Sequence, residues 1–292
     1  MHQIRRWKRV LWGLALLFWV SVCISAPAIA GALETRLLQF PDWRSLPDLP
    51  TAQADLYYPQ WMAGEWQVDS ILTEAVSPLA PEIVSPGFAA ISAQLHQPVH
   101  FRVRFQPAVV SGVERGLWVP QSVGQKQRLV ADRVYNGMNL AEAELGKGVI
   151  ESIRLDPRSP NAQVVRFADG QTLATQISNR ATETPSADVF ISSELYRQTF
   201  RNAVQIYLNQ VENTIAYRRI VSDQPDSLAQ PHIEAEQITA IYLSPQDPAY
   251  FKAQGRPVAL YRYRLRLEAV EAFGADTPRS EKSEKFGTIE RQ

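Results

Sequence analysis

The side chains that could do chemistry in this sequence are few and widely spaced. His96 and His100 stand four residues apart, which is the spacing of two metal ligands on one face of a helix. The one other histidine after residue 30 is His232. Pro98 separates the first two histidines in a segment with strand character, so their rings are not expected to converge. The sequence therefore predicts no metal site.

Familiar catalytic motifs are missing from the sequence: it contains no G-x-S-x-G elbow, no Ser-x-x-Lys and no glycine-rich phosphate loop. Carboxylates that could supply acid–base pairs are Glu151, Glu194, Glu212 and Glu234. A hydrolase or isomerase would need two of them about 5–10 Å apart in one cleft. Sequence spacing does not show that any two meet. A non-catalytic protein without a cofactor is the favoured interpretation.

The balance of charge argues against a nucleic-acid protein. Basic and acidic residues number 30 each, but four of the basic ones lie in residues 1–30, which hold no acid. The remaining 262 residues carry 26 basic and 30 acidic side chains. A net-acidic body without a basic tail is a poor match for phosphate backbones.

Residues 1–30 are predicted to be a cleavable signal peptide. A basic start, Arg5 to Arg9, precedes an uncharged apolar run over residues 10–24, and cleavage is expected between Ala30 and Gly31. An uncleaved anchor is the alternative. The only cysteine, Cys23, would leave with the signal, and a cysteine-free chain suits an oxidising compartment. Export to a periplasm or thylakoid lumen is the expectation.

Period-two alternation of apolar and polar residues dominates the rest of the chain. The pattern predicts an all-β, mainly antiparallel barrel of about eight to ten strands over residues 61–271. A proline-rich lead-in (31–60) precedes it, and a disordered tail (272–292) is predicted to follow. Short helices are expected within 89–95, from Leu140 to Leu145 with Asn139 as N-cap, and within 245–255. Predicted strands include 99–106, 117–119, 128–135 ending at Asn136-Gly137, 149–155, 163–167, 172–177, 189–201, 214–221, 236–243 and 258–270.

The alternation divides two sets of side chains between the faces of the sheet. One set would line an interior that holds a small apolar ligand, or would simply form the core: Trp66, Phe101, Val103, Phe105, Tyr261 and Tyr263. The other set would form a basic stripe on the outer wall that binds a partner, or a solvated face paired with acids: Arg102, Arg104, Arg262, Arg264 and Arg266.

Two resemblances sharpen this interpretation. Gly64-x-Trp66, at the start of the first strand, resembles the G-x-W signature of lipocalins and related calycin barrels. That resemblance implies a tryptophan packed across the closed end of a barrel and a glycine that lets the entering chain pass closely. A wider set of motifs is similar to an uncharacterised family of exported cyanobacterial and chloroplast proteins: Asp55-Leu56-Tyr57-Tyr58-Pro59, Trp61, Pro86-Gly87-Phe88 and Asp132-Arg133-x-x-Asn136-Gly137. That family implies a lumenal or periplasmic location and no assigned activity.

Two functions follow as expectations. The first is an exported lipocalin-like barrel that binds a lipid or pigment in its interior. The alternative is a non-catalytic accessory protein that docks on a photosynthetic membrane complex through the arginine stripe. No nucleic-acid partner is expected, and the sequence leaves the oligomeric state open.

Overall fold

Ten antiparallel strands form one sheet that curls into a half-barrel. The computed structural model describes residues 31–110, 126–202, 204–221 and 231–270. The predicted signal peptide, the predicted strand at 117–119 and the predicted tail lie outside these ranges. The strands are β1 (Gly64–Val76), β2 (Pro98–Val110), β3 (Lys126–Ala131), β4 (Ile150–Asp156), β5 (Ser159–Phe167), β6 (Thr172–Ser186), β7 (Val189–Arg201), β8 (Ile206–Ile220), β9 (His232–Leu243) and β10 (Ala259–Ala269).

Four short helices accompany the sheet in the described part of the chain, beside a single 3₁₀ turn (Gln60–Met62). They are α1 (Ala32–Leu38), α2 (Phe88–Ser92), α3 (Arg133–Leu145) and α4 (Tyr250–Ala253). The predicted all-β class, the strand at 189–201 and the helical turns in the 89–95 and 245–255 segments are confirmed. None of the described helices is both long enough and apolar enough to span a bilayer.

The strand order is β3-β2-β1-β10-β9-β8-β7-β6-β5-β4. Strands that follow one another in sequence are hydrogen-bonded neighbours, with one exception: β3 and β4 stand at opposite edges of the sheet. The connection between them contains α3, which contacts both β2 and β4. The helix therefore spans the open side of the half-barrel.

The start of α3 corrects two sequence predictions. The strand expected over 128–135 ends at Ala131, because the Asp132 side chain accepts a hydrogen bond from the Tyr135 amide and caps a helix there. Asn139 is consequently an interior helical residue and not the cap. Gly137 lies inside the helix and not in a turn; a Cβ there would stand 2.8 Å from Ile153 Cδ1, so glycine lets α3 approach β4 closely.

The lead-in (31–60) covers much of the opening that the sheet leaves between its two sides. α1 packs on the outer face of β6, β7 and β8, and the chain then bridges antiparallel to β6 at Thr51–Asn179. It crosses to the inner face and forms a second bridge, Tyr58–Leu129, to β3. The segment from Thr51 to Tyr58 thus joins the two sides that the sheet leaves open, as an ordered wrap of the kind that its prolines predict.

Apolar side chains form a core on each face of the sheet. The inner cluster gathers residues of β1, β2, β3, β7, β8, β9 and β10 with Leu56 of the lead-in and Met62 of the 3₁₀ turn. On the outer face, Leu33 and Trp43 cover buried residues of β7, β9 and β10. Burial on both sides explains why β9 alternates less cleanly than a half-exposed strand would.

Candidate ligand cavity inside the curled sheet

A cavity of about 320 Å³ lies between the inner face of the sheet, α3 and the lead-in. Its volume is at the small end of the range for ligand pockets. Most of its lining side chains are polar, and five of them are amides. The lining consists of Tyr58, Ala131, Arg133, Asn136, Asn161, Gln163, Leu173, Thr175, Ile177, Glu194, Tyr196, Gln198 and Asn213.

A chain of ion pairs forms one wall of this cavity. Arg180 Nη2 lies 2.6 Å from Glu194 Oε1, and Arg133 Nη2 lies 3.9 Å from the same oxygen. Arg133 Nη2 also donates to Asp55 Oδ1 at 2.6 Å. The Arg180 side chain is 8% exposed and donates further to Asn161 Oδ1 and to the Ala54 carbonyl. This network fixes the Arg133 and Glu194 side chains at the cavity wall.

Register explains how β7 supplies the acidic residue. Glu194 is paired with Asn213 on β8, so both side chains face the interior. A bulge in β6 between Ile177 and Asn179 shifts the alternation by one residue, which turns Arg180 inward opposite Glu194. Without that bulge the guanidinium would point to the outer face.

Two tyrosines keep their protons at the cavity. Burial raises the pKa of Tyr58 well above its ordinary value, and the charge of Glu194 adds to this effect while Arg133 opposes it. Burial also raises the pKa of Tyr196, again with Glu194 contributing. Both phenols remain neutral at physiological pH, where each can donate or accept a hydrogen bond.

Helix α3 is anchored at the sheet edge by Asn136. Its Oδ1 accepts from the Arg104 amide at 2.7 Å and its Nδ2 donates to the Arg104 carbonyl at 3.2 Å. The Asn136 side chain thus bonds both backbone groups of Arg104, as the backbone of a neighbouring strand would. Arg104 lies just beyond the last residue of β2 that is paired with β3. The contact places Arg133, one turn earlier, over the cavity.

The side chains predicted to line a ligand site lie elsewhere on the same inner face. Trp66 and Phe105 are buried in the inner core cluster, and Phe101 and Val103 pack against it. Trp66 Nε1 donates to the Met62 carbonyl at 2.9 Å. Tyr261 is buried with its ring centroid 5.8 Å from that of Phe88. Tyr263 packs beside it at the end of the core.

Gly64 has a conformational role in the G-x-W motif. Its φ of 112° is unfavourable for residues with a side chain, whereas a Cβ at this position would meet nothing within 4 Å. The glycine therefore serves the turn into β1, and the close passage implied by the lipocalin resemblance is not its role here.

The predicted arginine stripe lies on the outer face, but most of it is neutralised. Arg102 and Arg104 both contact Glu65, at 3.2 and 3.1 Å. Arg262 lies 3.0 Å from Glu74 and 2.8 Å from Glu236, and Arg266 lies 2.9 Å from Glu268. Arg264 has no carboxylate within 4 Å among the described residues.

The histidines do not come together. His100 Nδ1 lies 2.6 Å from Asp69 Oδ1 at an exposed position, and His232 contacts Arg266 and Glu234. His96 follows α2 with a φ of 64°. No group of three His, Cys, Asp or Glu side chains that could hold a metal ion occurs in the described ranges.

The four candidate glutamates are also separated. Glu194 lines the cavity, whereas Glu212 points to the outer face, where it is fully buried against Arg36. Glu151 and Glu234 are exposed. Among the described residues that line the cavity, Glu194 is the one carboxylate.

Most of the cavity wall was not predicted. The residues predicted to line the interior lie on β1, β2 and β10, whereas Gln163, Gln198 and Asn213 come from β5, β7 and β8. The signal that did point to the cavity was the motif set of the second resemblance, because it contains Asp55, Tyr58, Arg133 and Asn136. These residues, about 80 positions apart, meet at one wall.

Fold and cavity together define an all-β protein with a curled sheet and an open, mostly polar pocket between its inner face, α3 and the lead-in. The chain belongs to the family described as "Domain of unknown function (DUF6816)", which matches residues 50–271. No curated protein and no solved structure matches the sequence.

Proposed function

We propose that this protein binds a small hydrogen-bonding molecule in the cavity between β5–β8, α3 and Tyr58. The observation that carries the proposal is the convergence of Tyr58, Arg133 and Asn136 from two distant segments on one pocket, with Asp55 paired to Arg133 at its edge. Core packing alone does not require charged and amide side chains there, because burying polar groups costs free energy unless each is paired.

The lining indicates the chemistry of the ligand. Amides such as Gln163 and Gln198 both donate and accept, so they suit hydroxyl and carbonyl groups. Arg133 offers cationic donors beside them, while Leu173 and Ile177 supply a smaller apolar patch. We therefore expect a ligand with several polar atoms and a modest apolar part, in place of the wholly apolar lipid or pigment that the aromatic pattern suggests.

The site favours binding over hydrolysis. Glu194, the one carboxylate among the described lining residues, lies 2.6 Å from Arg180 and 3.9 Å from Arg133, so its oxygens are already engaged by ion pairs. The paired carboxylates of a glycosidase-like mechanism are not found among the described lining residues.

We place this activity outside the cytoplasm, in a periplasm or thylakoid lumen. The support is the predicted signal peptide and the cysteine-free sequence that follows it. Docking on a membrane complex through the arginine stripe is a weaker proposal, since Glu65, Glu74, Glu236 and Glu268 neutralise much of the charge that it needs.

Native mass spectrometry of protein purified from the organism that makes it tests the proposal. We expect the wild-type chain to carry a small molecule of defined mass. In the double variant Gln163→Leu/Gln198→Leu, two amides are lost at nearly constant volume, so the bound fraction should fall at least tenfold.

Gln67→Leu is the matched control, because Gln67 lies on the outer face of β1. It should retain the molecule fully. An adduct that persists in the cavity variant, or no adduct in the wild-type protein, would contradict the proposal.

A further inference from the structure

The two most exposed large apolar side chains among the described residues lie at one end of the sheet. The antiparallel strand order brings the connections 77–97, 202–205 and 244–258 together at this end, which we call the apolar end. Val204 is 95% exposed and Phe251 is 85% exposed. Val84 and Ile206 are also exposed there. Single exposed apolar residues are ordinary, whereas several on neighbouring loops mark a contact surface.

Phe251 has no role in the fold that would explain its position. It belongs to α4, a single helical turn whose buried residue is Ala253. Its ring contacts Tyr250, with centroids 5.4 Å apart, and otherwise projects outward. In the neighbouring connection at this end, Val204 lies in the tight β7–β8 loop between Asn202 and Gln205. Both side chains extend from loop tips, where a polar residue would serve the fold equally well.

A cationic groove adjoins the apolar end on the outer face. It has a volume of about 760 Å³ and runs across β4 to β8 as far as residues 244–246 of the β9–β10 connection. Three arginines, Arg154, Arg166 and Arg197, line it together with one acid, Asp156, and Val164 and Leu208 contribute an apolar floor. The groove and the apolar end therefore form one continuous surface.

Strand register extends this basic surface towards the loop tips. Arg201 on β7 is paired with the exposed Ile206 on β8. On its other side, Arg201 is paired with Thr172 on β6, which is in turn paired with Arg166 on β5. Arg197 and Arg201 lie on the same face of β7, four residues apart. Within the described ranges, Arg154, Arg197 and Arg201 have no carboxylate within 4 Å, and Arg166 approaches Glu151 only at 3.8 Å. This set of four arginines thus keeps more of its charge than the predicted stripe on β2 and β10.

We propose that the apolar end and its arginine groove dock the protein on an anionic lipid bilayer. Phe251 and Val204 enter the boundary between headgroups and acyl chains, and the arginines bind lipid phosphates. Arginine is suited to this task because its planar guanidinium makes paired hydrogen bonds to phosphate. Apolar tips beside a basic surface are the combination that interfacial membrane binding needs.

Vesicle co-sedimentation of residues 31–292 tests the proposal. This span is used because the apolar run at 10–24 would itself bind lipid, whereas every described core cluster lies after residue 30. We expect binding to vesicles of phosphatidylcholine with 30% phosphatidylglycerol, and little binding to pure phosphatidylcholine. Raising the salt concentration from 0.1 to 0.5 M should weaken binding, because it screens the arginines.

Two double variants separate the apolar and the cationic contributions. Arg197→Gln/Arg201→Gln should weaken binding about 30-fold, since each basic residue near such a surface contributes roughly a fivefold factor. Val204→Ser/Phe251→Ser should weaken it at least tenfold. In a separate variant, Phe251→Trp, brominated lipid should quench the fluorescence of the new tryptophan relative to the same vesicles without bromine.

Matched controls come from the opposite end of β8. Val221 is 48% exposed, and Arg218 is exposed on the outer face. They lie roughly 40–50 Å along the strand from Ile206. Val221→Ser and Arg218→Gln should leave binding unchanged. None of the substituted side chains takes part in an ion pair with another described residue, and circular dichroism verifies that each variant is folded.

Three results would overturn the proposal. The first is no binding to anionic vesicles. The second is equal loss in the Val221 and Phe251 variants. The third is concentration-dependent dimerisation that disappears with Phe251→Ser, which would assign the apolar end to contact between two copies. The cavity proposal is independent, because Gln163→Leu/Gln198→Leu should not affect vesicle binding through Phe251.

Discussion

Substitution of the buried pair Arg36–Glu212 should reveal what holds the lead-in on the sheet. Glu212 is 0% exposed and accepts two hydrogen bonds from Arg36, at 2.6 and 2.7 Å. The Tyr242 hydroxyl donates to Glu212 at 2.9 Å and the Thr214 hydroxyl at 3.2 Å. Arg36 also stacks on Trp43, with its guanidinium carbon 4.1 Å from the ring centroid. The pair therefore joins α1, the following turn and β8.

The structure sets the size of the effect. Removing one partner of a buried ion pair leaves an uncompensated charge and costs about 3–5 kcal/mol. Arg36→Met keeps the packing on Trp43 but leaves the buried Glu212 carboxylate without its cationic partner. Glu212→Gln keeps the shape of the side chain but leaves the Arg36 guanidinium without its anionic partner. In a domain of this size, such losses lower the melting temperature by roughly 6–20 °C.

The double variant Arg36→Met/Glu212→Gln should recover part of that loss. Because neither charge is then left unpaired, a coupling energy of at least about 2 kcal/mol is expected from the thermodynamic cycle. Urea unfolding followed by tryptophan fluorescence provides the free energies of unfolding. The pair Arg266–Glu268, with side chains about half exposed, is the control and should couple by less than about 1 kcal/mol.

Two outcomes would refute this reasoning. One is a cost below about 1 kcal/mol for both single variants, which would mean that solvent reaches the pair. The other is a coupling energy no larger than that of the exposed control pair. A separate transition at low denaturant in the single variants would instead show that the lead-in detaches before the sheet unfolds. That result would support the role of the pair in holding the lead-in on the sheet.

Three further predictions concern the edges of the sheet. The pKa of Glu65 is lowered, chiefly by the hydrogen bond from the Tyr135 hydroxyl. The ionised Glu65 carboxylate therefore stabilises the fold above the unfolded-state pKa near 4.3, and this stabilisation is lost as the pH falls through the folded-state pKa. The stability difference between wild type and Glu65→Gln should therefore shrink on acidification from pH 7 to pH 3; a constant difference would contradict the shift. Asn136→Leu should cost about 1–3 kcal/mol and speed hydrogen exchange of the Arg104 amide, because both backbone groups of that residue lose a partner; unchanged exchange would remove its role at the edge. Ala52→Pro should raise protease cleavage within the lead-in, since the Ala52 amide donates to the Ser178 carbonyl, and protection equal to wild type would show that this bridge is dispensable.

The hairpins were predictable because their signals are local. Alternation over residues 99–106 and 259–268 follows from the two-residue period of a strand with one buried face. The turn between β5 and β6 follows from Asp169-Gly170. What alternation does not encode is that β3 and β4 lie at opposite edges of the sheet, since a connection of this kind depends on tertiary packing.

The cavity was predictable only in part, for two physical reasons. Alternation assigns a side chain to a face but does not say whether the opposite wall is near, so Phe105 packs against Tyr58 while Gln198 faces open space. The β6 bulge reverses the alternation and turns Arg180 inward, and nothing in the local sequence marks it. Asp132 was available as a cap, yet the strand pattern that runs up to Tyr135 concealed the start of α3.

An experimental electron-density map of the protein purified from its own organism would show whether a ligand occupies the cavity. We expect density for a small molecule between Tyr58, Arg133, Glu194 and Asn213, with polar atoms within hydrogen-bond distance of Gln163 or Gln198. A cavity that contains only separate water-sized peaks, or a bound molecule at a different place in the fold, would contradict it.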